Sequence, residues 1–271
     1  RMYPASLTKM ATCAVALEEN PDTSRMVTIG KEVAAVPETG LYLEAGERIR
    51  LSTLIQATLV HSANDAAAGV AQATSGSVDA FVDLMNRRVQ EWGARNTHYA
   101  NPHGLHDKDH WSTARDQAIV AFHAMRIPAF AETVATRDVT IRRPVRVPAP
   151  RAQNAQGDTP VISARVSSAN HTYHTRNRLL DTWEPADGIK TGYTEPAGFN
   201  LTASAERNGV RIIATVFGGK STADRNAKVA KLLDLGFAKA PRRANEQAPA
   251  ALVYKNADEE VLVASNAPEE E

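Results

Sequence analysis

Residues 199–206 and 210–217 are two β-prone runs separated by a connection centred on Asn208-Gly209, with Arg207 before it. An Asn-Gly pair between such runs signals a type I′ turn, whose backbone twist matches that of two paired strands. The signal constrains the fold more than any other in the chain: part of the protein must be antiparallel sheet. A helix is expected just after it, capped by Ser221 or Thr222, with Val229, Leu232, Leu233 and Leu235 as its buried stripe and Gly236 as its stop. Residues 241–249 read as a linker, and beyond them 251–254 and 261–264 form a second hairpin pattern around Asn256-Ala257-Asp258.

Helical periodicity dominates the other half. Residues 6–20 read as a helix closed by Asn20-Pro21, a second helix starts near Ser52, and 65–74 is an alanine-rich third. Ser77 can cap a helix carrying Phe81, Leu84, Met85, Arg88, Val89 and Trp92 at i, i+3 and i+4 spacing, stopped by Gly93. Thr113, followed three residues later by Asp116, can open another over 113–125. After Thr136 β-branched runs replace alanine, and the Pro- and Arg-rich 142–157 reads as an exposed loop or hairpin excursion.

The 271 residues, 43% hydrophobic, are enough for one large domain or two lobes. Basic and acidic residues each number 31, so charge gives no reason to expect nucleic acid or an anionic membrane as partner. No apolar run of about 18 residues is present to form a membrane-spanning helix. The single cysteine, Cys13, lies among Ala11, Ala14 and Val15 and reads as core.

Three short motifs carry chemistry. Ser6-Leu7-Thr8-Lys9 puts a hydroxyl and an amine three residues apart on one helical face, so the lysine can take the serine proton. For that Lys9 must be neutral, which burial or a second nearby cation would bring about. Ser62-Ala63-Asn64 offers a proton relay and an amide-binding side chain, although a polar turn with Asp65 as helix N-cap fits the same residues. Ser168-Ala169-Asn170 repeats the pattern and is expected in a loop. Lys190-Thr191-Gly192 suits a strand edge that binds a carboxylate, the glycine letting a substrate backbone approach. It also suits a charged edge strand that merely resists aggregation.

Ser-x-x-Lys, Ser-x-Asn and Lys-Thr-Gly in this order mark β-lactamases and penicillin-binding proteins. The longer strings Tyr3-Pro4-Ala5-Ser6-Leu7-Thr8-Lys9-Met10, His61-Ser62-Ala63-Asn64-Asp65-Ala66-Ala67, Ser112-Thr113-Ala114-Arg115-Asp116 and Asp187-Gly188-Ile189-Lys190-Thr191-Gly192-Tyr193-Thr194 resemble the low-molecular-mass D-alanyl-D-alanine carboxypeptidases. The resemblance implies that Ser6 attacks the penultimate D-alanine carbonyl, that Lys9 accepts its proton, and that Ser62 and Lys190 complete a relay. Asn64 would hold the peptide amide, and the backbone N–H groups of Ser6 and Tyr193 the oxyanion. Thr191 with Arg176 or Arg178 would bind the terminal carboxylate, and Gly192 would admit the substrate. The implied partners are peptidoglycan stem peptides ending in D-Ala-D-Ala and β-lactams, outside the cytoplasmic membrane, with no cofactor and no metal.

A serine β-lactamase shares these motifs, but Ala63 stands where class A enzymes usually have Asp, and 96–105 lacks the expected acidic base. A DD-endopeptidase would use the same residues, whereas a non-catalytic peptidoglycan-binding protein would not need them intact. His103, His106 and His110, with Asp107 and Asp109, have spacing that metal ligands can show, but Asn101-Pro102-His103-Gly104-Leu105 resembles a family loop without a metal role. The expected fold is α+β, β-lactamase/transpeptidase-like: a five-stranded, mostly antiparallel sheet flanked by helices. A single catalytic domain would combine a helical lobe at about 50–135 with a sheet lobe from 1–30 and 137–271. Because 250–271 followed by 1–9 reads as the family's N-terminal segment, the chain is expected to be circularly permuted, with 241–249 as the joint.

Overall fold

The computed structural model describes residues 1–147, 165–240, 252–256 and 259–264. A single 3₁₀ turn, Ala5–Leu7, runs straight into helix α1, Thr8–Glu19. Strand β1 (Met26–Thr28) and strand β2 (Arg48–Arg50) pair as a small antiparallel ribbon on either side of the short helix α2 (Lys31–Ala34). Helix α3 (Leu51–Gln56) loosens into a π turn over Ala57–His61, and α4 (Asn64–Ser75) follows. Then come α5 (Val78–Glu91), α6 (Ala114–Met125) and α7 (Pro128–Ala135).

Strands β3 (Asp138–Val147) and β4 (Arg165–His174) form a two-stranded antiparallel ribbon, and a short α8 (Leu179–Thr182) leads to the main sheet. That sheet contains β5 (Ala186–Thr194), β6 (Gly198–Arg207) and β7 (Val210–Gly219). Helix α9 (Thr222–Lys239) and the hairpin of β8 (Leu252–Asn256) and β9 (Glu259–Ala264) complete it. The strand order is β5-β6-β7-β9-β8, with every neighbouring pair antiparallel, so the strands expected from sequence are all present. Asn208 and Gly209 have φ of 54° and 78°, as a type I′ turn demands.

Strands β5, β6 and β7 are buried on both faces, their side chains alternating between the two. Leu201, Ala203, Ala205, Ile212 and Ala214 pack with Val229, Leu232 and Leu233 of α9, whereas Ile189, Ile213 and Phe217 face the helical core around α1. Within that core α1 is enclosed by α4, α5 and α6, and its residues Thr8 to Ala16 are all buried. Cys13 is among them, and burial pushes its thiol proton affinity up. No single helix among the described residues is long and apolar enough to cross a membrane.

Several local expectations change. Ser168-Ala169-Asn170 lies within β4 rather than in a loop, paired with Arg142 to Pro144 of β3. The excursion therefore begins and ends as a β-ribbon, and its remaining 148–164 lies outside the described residues, as does the proposed joint at 241–249. Gly236 does not stop α9. It is buried on the packed face of the helix, which continues to Lys239. Asp65 is not an N-cap, since Ala63 occupies that position and Asp65 bonds elsewhere.

Candidate active site

The site forms where α1, α4 and the edge strand β5 converge. Ser6 sits in the 3₁₀ turn and Lys9 in the first turn of α1, with Lys9 Nζ 3.0 Å from Ser6 Oγ. Lys9 is fully buried and also lies 2.7 Å from Asn64 Oδ1 and 2.6 Å from the carbonyl oxygen of His103. The Asn64 amide is oriented by its own Nδ2, which donates to the Pro37 carbonyl at 3.2 Å. Two of the three neighbours of Lys9 Nζ are thus acceptors only. A neutral amine keeps two N–H bonds and a lone pair, so it can satisfy both acceptors and turn its lone pair to the Ser6 hydroxyl.

Electrostatics favours that neutral form. Burial first, and then the nearby Lys190 charge, hold Lys9 well below the ordinary lysine range. Lys190, 1% exposed on β5, donates to the Thr191 carbonyl at 2.9 Å. Its own pKa falls to about 7, through burial and then the charges of Arg176 and Arg225.

Backbone contact fixes the nucleophile's surroundings. A Cβ on Gly192 would come within 2.8 Å of the Pro4 carbonyl oxygen and 3.1 Å of Ser6 N, so the edge strand reaches the turn only because this residue has no side chain. Asn200, the register partner of Gly192 on β6, donates through Nδ2 to the carbonyls of Tyr3 and Pro4 and accepts from Gly218 N–H. Gly104, with φ +89°, packs from the other side, where a Cβ would lie 1.9 Å from the Ala5 carbonyl oxygen. Ala5 itself has φ 49°, a left-handed conformation uncommon for a residue with a side chain.

The loop around Gly104 is stapled to α1. Thr12 donates to the Pro102 carbonyl at 2.6 Å, and Thr8 Oγ1 lies 2.7 Å from His110 Nε2. His110 Nδ1 accepts from Ala100 N–H, so the ring is neutral with its proton on Nε2, and burial lowers its pKa to about 3. His106 meets Tyr3 edge-on, and His103 Nδ1 accepts from Leu105 N–H. These contacts account for the three histidines, and the described residues hold no group of three or more His, Cys, Asp or Glu arranged for a metal.

Ser62, two residues before Asn64, ends the π turn at φ +69°, is 8% exposed and makes no hydrogen bond to Ser6 or Lys9 among the described residues. Thr191 is also 8% exposed, whereas Tyr193 is 55% exposed and its ring lies on Phe199 with centroids 4.5 Å apart. Arg176 donates its backbone N–H to the carbonyl of Val60, two residues before Ser62, and its charge reaches Lys190. Arg178 instead faces Asp181 at 3.4 Å. The two arginines thus have different surroundings.

Residues 1–221 match the family described as D-alanyl-D-alanine carboxypeptidase, peptidase S11. The chain belongs to this family. The carboxypeptidase DacF of Bacillus subtilis is 31% identical over 241 residues, covering 88% of this chain and 56% of DacF. DacA of Escherichia coli is 34% identical over 248 residues, covering 88% of this chain and 55% of DacA. The chain thus spans about half the length of these curated relatives. Among solved structures, the carboxypeptidase DacD of Francisella tularensis matches with a TM-score of 0.76 at 28% identity, covering 98% of this chain and 73% of that one. The Streptomyces K15 DD-transpeptidase matches at 0.73 and 27%, covering 88% of each chain. The architecture is therefore that of the DD-peptidases, α+β with the serine between the helical core and the sheet edge.

In this carboxypeptidase fold, motif reading misses the residues that act through backbone geometry. The His103 carbonyl is invisible in a side-chain pattern, and although Asn101-Pro102-His103-Gly104-Leu105 and Gly198-Phe199-Asn200-Leu201 resemble family strings, neither says that Gly104 packs on Ala5 or that Asn200 holds the Tyr3 and Pro4 carbonyls. Asp65 has a different task from the expected cap. Its carboxylate accepts from the N–H groups of Leu41, Leu43 and Ala66 and so pins the loop before β2 against Asn64. Arg225, 3% exposed in α9, comes from a segment whose sequence signal is its apolar stripe.

Proposed function

We propose that this chain is a serine D-Ala-D-Ala carboxypeptidase that removes the terminal D-alanine from peptidoglycan stem peptides. The observation that carries the reading is the buried Lys9 amine, aimed by Asn64 and the His103 carbonyl at Ser6 Oγ. The substrate carboxylate would meet Thr191 and Arg176, with the cations at Lys190 and Arg225 behind them. That placement directs the penultimate carbonyl to Ser6. Lys9 takes the hydroxyl proton as Ser6 Oγ bonds to the carbonyl carbon, and the oxyanion is held by the backbone N–H groups of Ser6 and Tyr193. Asn64 holds the acyl-side amide. Collapse of the tetrahedral adduct breaks the peptide bond, and the leaving D-alanine amine receives the proton through Ser62 and Lys190. Water then attacks the acyl-enzyme by the same route in reverse, restoring Ser6.

A β-lactam presents a strained amide with a carboxylate in the same relation and would acylate Ser6. Fast release needs a further base. The loop that packs on Ser6 and Lys9, residues 96–105, carries no carboxylate, which supports an inhibited enzyme over a β-lactamase. With peptidoglycan as substrate, the working location is extracytoplasmic, in the periplasm or cell-wall space.

Mass spectrometry after incubation with penicillin G tests the reading. The expected result is one adduct, on the peptide containing Ser6, together with D-alanine release from a D-Ala-D-Ala peptide by untreated protein. A folded protein that gives neither would overturn it.

A further inference from the structure

The Arg-rich stretch that begins at Arg142 has no task in the proposed reaction, yet one of its residues is tied to the site. Strand β3 buries Val139 and Ile141 in the helical core, and alternation brings Arg143 to the same face. There its guanidinium grips both carboxylate oxygens of Glu47, at 3.1 and 2.8 Å, in a pair whose side chains are only 13% and 5% exposed. It also donates to the carbonyl of Leu41 and, at 3.1 Å, to that of Tyr42.

The segment so held is the one that aims Asn64. Leu41 and Leu43 donate their N–H groups to the buried Asp65 carboxylate at 2.9 and 3.0 Å, so an acid holds the donors of this stretch while Arg143 holds its acceptors. Just before it, Thr39 accepts from Asn64 N–H at 2.7 Å and Pro37 from Asn64 Nδ2 at 3.2 Å. The other end of that amide, Oδ1, lies on Lys9 Nζ. Glu38 and Tyr42 have φ of 68° and 57°, left-handed conformations that residues with side chains keep only where their surroundings impose them. Among the described residues Arg143 bonds to none of Asn64, Lys9 and Ser6.

Resting on the activity proposed above, we propose that Arg143 is a positioning residue for acylation: through the Leu41 and Tyr42 carbonyls it fixes residues 37–39, through them the Asn64 amide, and through Asn64 the direction of the Lys9 lone pair. It touches no substrate and moves no proton. A lysine cannot replace it, because a single ammonium lacks the planar fork that meets a carboxylate and two carbonyls at once.

Removing Arg143 alone would leave the Glu47 carboxylate buried without its partner, so the test removes both charges, Arg143→Met with Glu47→Gln. Acylation by penicillin G, followed over a range of concentrations, separates the first-order acylation step from the noncovalent affinity that precedes it. The acylation step should slow by about ten- to a hundredfold, the scale of a misaligned catalytic group, with the noncovalent affinity unchanged. In an Asn64→Ala background the same two substitutions should cost less than about twofold, because the group they misalign is already gone. A folded Arg143→Met/Glu47→Gln protein with normal acylation overturns the inference. So does a loss that recurs in full on Asn64→Ala, which would mark a general loosening of the fold. If the double variant does not fold, Arg143→Lys, which keeps a charge beside Glu47, decides: slowed acylation supports the inference and normal acylation overturns it. Wild-type protein that is acylated while the variants match it removes only this inference, whereas wild-type protein that penicillin G does not acylate removes the activity reading and this inference with it.

Discussion

At Lys9 burial and the Lys190 charge favour the neutral amine, and two acceptors aim it. Asn64 Oδ1 and the His103 carbonyl can only accept, so a neutral amine fits them while leaving its lone pair for Ser6. Burial and the Lys190 charge then lower the pH at which the neutral form appears. Lys190→Ala separates these two causes. Removing a positive charge that disfavours protonated Lys9 lets Lys9 hold its proton more tightly, so the rising limb of the acylation rate against pH should move to higher pH. Its height will also change, because Lys190 is proposed to serve the substrate, but the limb's position reports Lys9. Stopped-flow acylation by a chromogenic cephalosporin across a pH series checks this, and an unmoved limb would assign the whole shift to burial. The requirement that Lys9 be buried near a second cation was legible from Ser-x-x-Lys and Lys-Thr-Gly. The carbonyl partner was not, because any residue can supply a carbonyl and only the fold decides which one arrives.

Elements of regular structure were readable where period and capping agree. Ser77, Thr113 and Ser221 each accept a backbone N–H at the start of α5, α6 and α9, as their positions before apolar stripes suggested. The π turn at Ala57–His61 was not readable, since its residues continue the α-helical pattern, yet it delivers Ser62 in a left-handed conformation at the head of α4. Likewise the β1–β2 ribbon is two strands of three residues each, too short to show a period. The loop from 96 to 112 carries no helix or named strand and still sets the nucleophile's geometry through Gly104. Gly104→Ala should therefore be costly out of proportion to one methyl group. Its Cβ would meet the Ala5 carbonyl oxygen at 1.9 Å and its φ of +89° disfavours any side chain, so the turn carrying Ser6 must shift. Displacing a nucleophile by about 1 Å costs on the order of 10²-fold in rate. The variant should stay folded by circular dichroism while acylation by penicillin G slows by about that factor. Normal acylation would show that the loop can yield without moving Ser6.

At the scale of the whole molecule, the sheet is completed by a hairpin far in sequence from the helix that follows Ser6. Strand β9 pairs with β7 through Ile213↔Ala264 and Ala214↔Val263, lies against α6 and α9, and carries β8 on its outer side. We propose that this hairpin fills the sheet position that strands ahead of the nucleophile helix occupy in the family, which is the permuted order expected from sequence. The family match over residues 1–221 ends before the hairpin, so this assignment rests on the strand pairing and on the sequence pattern of 250–271. Its energetic consequence is direct. Strand β7 belongs to both hydrophobic clusters, with Ile212 on the α9 side and Ile213 on the helical side. Deleting 250–271 would remove the backbone pairing of β9 with Ile213 and Ala214 and leave that edge of β7 open. An open edge on a strand that belongs to both clusters weighs heavily in a domain held together by only about 5–15 kcal/mol. The shortened chain, residues 1–249, should therefore be unfolded or aggregated near room temperature and should not be acylated at Ser6. Thermal denaturation followed by circular dichroism, with penicillin labelling of the same samples, checks both. A cooperative transition with intact labelling would mean that β7 needs no partner on that edge, and that the hairpin adds a strand to a sheet already complete without it.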